Sequence, residues 1–182
     1  IETLRATYSI PFIGIEPAIK PAALISKTKV VGVLATQGTL SSALFTQTST
    51  AYTQDVLVVE QVGNGLVEAI ETGPLDDPKL ATLVGSYIKP MLEQNIDALV
   101  LGCTHYPLLL PLLKKILPNN IQIIDSAEAV AKQTHRILKE NQLQSQTQET
   151  GSIQYFSSTK NSSLLGFIPK EAEVRPLTSD PA

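Results

Sequence analysis

Ala98-Leu99-Val100-Leu101-Gly102-Cys103-Thr104-His105-Tyr106-Pro107 is the stretch on which the reading of this chain turns. Its first four residues are apolar without alternation, which marks a strand buried on both faces. Gly102 to His105 interrupts the run with small and polar residues. Residues 106–117 then resume as an apolar helix, with Pro107 in the first turn, where a missing N–H costs little. A strand that passes through a short polar turn into a helix is the repeating unit of a parallel sheet with crossover helices.

Working outward, the same unit recurs. Residues 30–35 are β-branched and uninterrupted, then break at Thr36-Gln37-Gly38-Thr39, and residues 41–49 follow as a helix. Residues 56–59 repeat the buried-strand pattern. Residues 79–95 carry Leu80, Leu83, Val84, Tyr87, Ile88, Met91 and Leu92 at helical spacing. Residues 121–124 form a fourth strand closed by Asp125-Ser126, with Ser126 placed to cap a helix over 127–139. Upstream, residues 1–8 read as the tail of a helix, and the apolar run 11–15 ends at Glu16-Pro17, where proline stops regular structure. Downstream, the polar stretch 140–151 is a connection, followed by a strand at 153–156, a short helix at 162–167 and a strand at 174–177. In sheets of this kind ligands bind beyond the carboxyl ends of strands. Thr36 to Thr39, Cys103 to His105 and Asp125-Ser126 all fall there.

Composition narrows the function classes. With 43% hydrophobic and 17% charged residues among 182, the chain has the balance of a globular protein. A net charge of −3 gives no basic footprint for nucleic acid. No apolar run approaches the ~20 residues that cross a bilayer, and the first residues lack the order of a secretory signal. A single cysteine cannot form an intramolecular disulfide, which suits a reducing cytosol.

That cysteine is the chemical centre of the reading. A free thiol is mostly protonated near neutral pH, and a seat between a strand end and a helix start favours its thiolate. His105, two residues on, is placed to exchange a proton with the sulfur or to meet a substrate carboxylate. A lone cysteine is more often a small buried apolar residue, and a lone histidine a structural hydrogen-bond partner. The two together, after a glycine at a strand end, point to acid/base chemistry. One cysteine and the remaining histidine, His135 on a polar helix face, do not make a metal set of three or four ligands. Nucleophile and histidine also stand too close in sequence for the usual cysteine-protease arrangement.

Leu99 to Leu110, reading LVLGCTHYPLLL, resembles the second cysteine motif of glutamate racemases, in the aspartate/glutamate racemase superfamily. Gly14-Ile15-Glu16-Pro17 is similar to that family's crossing segment between domains. Val31 to Thr36 with Gly38-Thr39, and Ile124-Asp125-Ser126, extend the likeness over roughly residues 1–142. The resemblance implies an α/β parallel-sheet sandwich of two pseudo-symmetric domains. Residues 1–15 would be a remnant of the first, 16–125 the second nearly whole, and 126–182 a segment returning to the first. It implies cofactor-independent racemisation of glutamate, in which one thiolate takes the α-proton while an opposite thiol delivers one, supplying D-glutamate for peptidoglycan in the cytoplasm.

Residue by residue, Cys103 matches the family's second thiol, acting on the L-enantiomer, and His105 its assisting residue. Thr104, Thr36 and Thr39 match positions that bind the substrate's carboxylate or amino groups. Glu71 aligns with an acidic site residue, and Glu68, one helical turn away, is the alternative. The implied ligand is glutamate, with no metal or cofactor, no nucleic acid and no membrane, and a homodimer is compatible with the family. The family's first cysteine motif is not found in these residues, so the natural protein is expected to extend before Ile1 and this chain to hold one of two proton-transfer groups. An aspartate racemase, a one-cysteine decarboxylase and a non-catalytic binding protein (some glutamate racemases are described as binding DNA gyrase) remain open readings.

Overall fold

Val30–Ala35 forms β1, the strand from which the sheet is built. It pairs in parallel with β2 (Leu57–Val62) on one side and with β3 (Ala98–Gly102) on the other. β4 (Gln122–Ile124) pairs in parallel with β3, giving a four-stranded sheet of order β2-β1-β3-β4. This computed structural model describes residues 1–15, 17–52, 55–147, 149–157, 168–169 and 172–177. Ile1–Leu143 forms one unit, containing this sheet, and Gln144–Ala182 forms another.

Both faces of the central strands are dry, which is why their sequences do not alternate. Successive side chains point to opposite faces. Val31, Val33 and Ala35 therefore join Ala98 and Val100 on one face, under Ile19 and Ala22 of α2 (Ile19–Ile25) and Phe45 of α4 (Ala43–Tyr52). Leu34, Leu99 and Leu101 face the other way. They meet Leu66 and Ile70 of α5 (Leu66–Thr72), Val84, Ile88 and Met91 of α6 (Pro78–Glu93), and Leu113 of α7 (Leu110–Ile116). Each such burial stabilises by roughly 1.5–3 kcal/mol. The short helices α1 (Glu2–Thr7) and α3 (Gln37–Leu40) bury no residue, and neither does α8 (Ala127–Glu140). The α/β class with a parallel sheet is as expected from the sequence.

Several local expectations need correction. β2 lies at an edge and runs to Val62 rather than Val59, with Leu57 56% exposed, so it is not buried on both faces. Its polar end pairs with β1 in register, Glu60 with Val33 and Gln61 with Leu34, and that backbone pairing outweighs composition. Pro17 does not end regular structure, because α2 begins two residues later with Pro21 in its first turn, where no intrahelical N–H is required. The helix expected over 106–117 is a 3-10 turn at Tyr106–Leu109 followed by α7. Pro111 near the start of α7 removes the N–H that a continuous α-helix needs. The helix expected over 41–49 is preceded by α3, and α4 starts where Ser42 Oγ accepts the Phe45 amide at 3.1 Å. Ser126 occupies the N-cap of α8, but it is Asp125 Oδ1 that accepts the Ala127 amide, at 2.8 Å.

In the second unit, β5 (Tyr155–Ser157) pairs in parallel with β6 (Val174–Pro176). The strands were expected at 153–156 and 174–177, and the helix expected at 162–167 lies outside the described residues.

Asp97 ties the entrance of β3 to the turn before β1. Its carboxylate accepts Ser26 Oγ at 2.6 Å and the amides of Lys27 and Thr28 at 2.6 and 3.0 Å. Burial pushes its pKa up, but these hydrogen bonds, Ser26 first among them, outweigh burial and hold it below the ordinary 3.8. A carboxyl whose folded pKa is depressed adds stability above its unfolded pKa, and that stability is lost as pH falls through the folded value. Asp97→Asn is therefore expected to cost about 1–2 kcal/mol at pH 7, with the deficit shrinking below about pH 4. Urea denaturation at the two pH values checks this, and a pH-independent deficit would contradict it.

Candidate active site

The connections from β1 and β3 set the site. β1 leads to β2 on one side, while β3 leads to β4 on the other, so the chain diverges between the two central strands. This is the switch point at which open α/β sheets hold ligands. Just beyond it lies a cavity of about 440 Å³, walled by Thr36 and Thr39 after β1, by Cys103 and Thr104 after β3, and by Ser126 after β4. Ala35 and Gly102 are partners in the β1–β3 register. A Cβ on Gly102 would stand 2.7 Å from the Ala35 Cβ, so only glycine lets the two strand ends lie this close.

Each wall residue is held by its own segment. Thr36 caps α3, its Oγ1 accepting the Thr39 amide at 3.3 Å, and the two threonine hydroxyls are 3.0 Å apart. They therefore serve the turn as well as the cavity. Cys103 is half-buried, and Thr104 is exposed at the cavity edge. Ile15 and Pro17 close the wall from the segment before α2.

Behind the thiol runs a chain of contacts. Cys103 Sγ lies 3.9 Å from His105 Nδ1, and His105 Nε2 lies 2.8 Å from Glu71 Oε1. With Nε2–H donating to the carboxylate, a neutral imidazole turns the Nδ1 lone pair toward sulfur. The ring can then accept the thiol proton, and Glu71 can stabilise the imidazolium so formed. Glu71, rather than Glu68, makes this contact. His105 and Glu71 are 32% and 37% exposed and are not part of the cavity wall.

Two further residues stand at the site without a role assigned from the sequence. Ser126 lines the cavity as well as starting α8, and its place at a strand end was the available signal. Tyr106, next to His105, is fully buried and donates from Oη to the Gly63 carbonyl at 3.1 Å. Burial first, then the neighbouring Cys103 charge, push its hydroxyl pKa above the ordinary range. The sequence offered no signal for its partner, which is 43 residues away. His135 stands exposed on α8. Among the described residues, no three His, Cys, Asp or Glu side chains are grouped to hold a metal ion. No described helix is long and apolar enough to cross a membrane.

Comparison with known proteins places this geometry in a family. The family model for Asp/Glu/Hydantoin racemase matches residues 1–134. The chain is 45% identical over 156 residues to a glutamate racemase of Ectopseudomonas mendocina (strain ymp), covering 85% of this chain and 59% of that protein. It is 43% identical over 170 residues to a glutamate racemase of Pseudomonas putida (strain F1), covering 93% and 64%. It thus spans about three fifths of the length of these curated relatives. Among solved structures, Escherichia coli glutamate racemase, in complex with L-glutamate and the activator UDP-MurNAc-ala, superimposes with a TM-score of 0.81 at 26% identity, covering 97% of this chain and 68% of that one. A glutamate racemase isoform of Bacillus anthracis gives 0.80 at 27% identity, covering 98% and 68%. With the family model matching residues 1–134, the chain belongs to the Asp/Glu/Hydantoin racemase family.

Proposed function

We propose that this chain carries one half-site of a glutamate racemase, with Cys103 as the acid/base group that serves the L-enantiomer. The observation that carries this reading is the cavity-facing thiol backed by His105 and Glu71. The names of the relatives, and the L-glutamate in the Escherichia coli complex, support glutamate as the substrate.

The difficulty of the reaction is the carbanion at Cα. Without an electron sink it is short-lived, so the base that removes the proton and the acid that returns one must be in place together. The Cys103 thiolate takes the α-proton of L-glutamate and becomes the thiol, while an acid on the opposite face of Cα delivers a different proton. His105, oriented by Glu71, exchanges the proton at sulfur, so the thiolate is restored for the next turnover. Hydroxyls of Thr36, Thr39 and Thr104 hold the carboxylate and amino groups. No cofactor enters this scheme. There is one cysteine in 182 residues, so a second thiol would come from outside them. Residues 1–15 and 126–182 would then belong with that other half of the protein, and 16–125 to the half that carries Cys103. In support, α8 is amphipathic yet buries no residue, and Leu4, Tyr8 and Ile10 are exposed apolar side chains. The product would be D-glutamate, made in the cytoplasm for cell-wall peptidoglycan.

In the complete enzyme, Cys103→Ala is expected to lower racemisation by at least 10²–10⁴-fold, read by circular dichroism of glutamate. Unchanged turnover would remove the assignment. Glu71→Gln should cost less, about 10–100-fold in kcat, the equivalent of one charge-assisted hydrogen bond. The 182-residue chain alone, with its single thiol, should give no sustained racemisation. Solvent deuterium should enter Cα of glutamate and not of aspartate; the reverse preference would favour an aspartate racemase.

A further inference from the structure

We propose that Tyr106 is a positioning residue, its buried hydroxyl latching the Cys103–His105 loop to the backbone turn that launches the Glu71 helix. The inference rests on the proposed role of the His105–Glu71 pair and concerns what holds that pair in register. Two side chains that are 32% and 37% exposed gain little from their own attraction, because water screens them and both lose rotamer freedom. A contact of 2.8 Å between elements 34 residues apart therefore needs a stiffer brace beneath it.

Gly63 supplies the brace. Its amide donates to the Ala35 carbonyl at 2.9 Å, at the end of β1 and next to Thr36. Its carbonyl accepts Tyr106 Oη at 3.1 Å and the Leu66 amide at 3.3 Å, at the first residue of α5. One backbone unit thus joins the threonine turn, the thiol loop and the Glu71 helix. Tyr106 is itself fixed to the loop, its amide donating to the Cys103 carbonyl at 3.2 Å. Because the ring is fully buried, the hydroxyl has no solvent to turn to, and losing the Gly63 carbonyl would leave it unsatisfied. The fit leaves no slack. A Cβ on Gly63 would fall on Tyr106 Oη and lie 2.7 Å from Leu66 Cδ1. Tyr87 holds the same turn from outside, donating to the Asn64 carbonyl at 2.8 Å rather than to Gly63.

The single cysteine makes the test direct, since iodoacetamide alkylation of the 182-residue chain reports on Cys103 alone. The pH profile of the alkylation rate is measured for the unsubstituted chain, Glu71→Gln, His105→Asn, Tyr106→Phe, Gly63→Ala and Tyr87→Phe, with urea midpoints alongside. Tyr106→Phe is expected to slow alkylation at pH 7 by about 5–10-fold and to move the profile to higher pH, as Glu71→Gln does. Gly63→Ala, which presses on the same contact from the other side, should move it the same way. Tyr87→Phe should lower the urea midpoint and leave the profile in place. If Glu71→Gln and His105→Asn slow alkylation while Tyr106→Phe and Gly63→Ala do not, the latch is wrong and the pair stands. If Glu71→Gln and His105→Asn change nothing, the pair itself falls and the latch with it. Equal slowing by Tyr87→Phe would mean general loosening of the turn and would also overturn the latch.

Discussion

The in-register parallel pairing of β1 with β3, closed at Ala35 and Gly102, is the constraint on which the rest of the molecule depends. It places two strand ends side by side, with the Ala35 methyl in the space that a side chain at position 102 would need. From that meeting point the chain leaves in two directions, and the gap it leaves is the cavity. Thr36 and Cys103 each follow directly on one of these strands. Shift the pairing by one residue and every side chain on β3 changes face. Leu99 and Leu101 would then leave the layer of α6 and α7, so the core itself enforces the register that builds the site.

Among the described residues, no Asp, Glu, Lys, Arg or His side chain lines the cavity. Hydroxyls and a thiol stand there among apolar side chains, Ile15, Pro17, Leu101 and Pro107 included. An anionic ligand at such a wall meets neutral hydrogen-bond donors, which need not be stripped of a tight water shell. The ionisable pair, His105 and Glu71, sits behind the sulfur, where it can set the proton inventory of Cys103 without competing for the ligand. In the proposed reaction this separation matters, since the base must be free of counter-charges that would quench it and still be able to renew its proton.

Stability and site precision draw on the same few contacts. Asp97 holds the amino ends of the central strands, and Gly63 with Tyr106 holds the carboxyl ends. Between them lies the double-sided apolar core. A packed sheet of this kind has little give, so a hydroxyl or imidazole at a strand end inherits the rigidity of the strand. The long reach of these polar contacts, 71 residues for Ser26 with Asp97 and 43 for Tyr106 with Gly63, means that the site exists only once the whole unit has folded.

The sequence by itself determined the elements that bury apolar surface and the chemistry at their ends. Uninterrupted runs such as Val30–Ala35 and Ala98–Gly102 favour strands buried on both faces, and these two are the central strands. The succession glycine, cysteine, threonine, histidine after such a run marked the candidate site for the same reason: polar residues at a dry strand's end face a ligand or water. What the sequence left undecided was set by partners distant along the chain. Glu71 and Glu68 lie one helical turn apart and look alike in the sequence, and only the approach of His105 singles out Glu71. β2 gained its polar half from pairing with β1, and α2 formed after a proline because the sheet offered its Ile19 and Ala22 a surface to cover. Local pattern follows from the period of the backbone, whereas contacts between elements depend on how whole layers stack, and no short window of sequence contains that information.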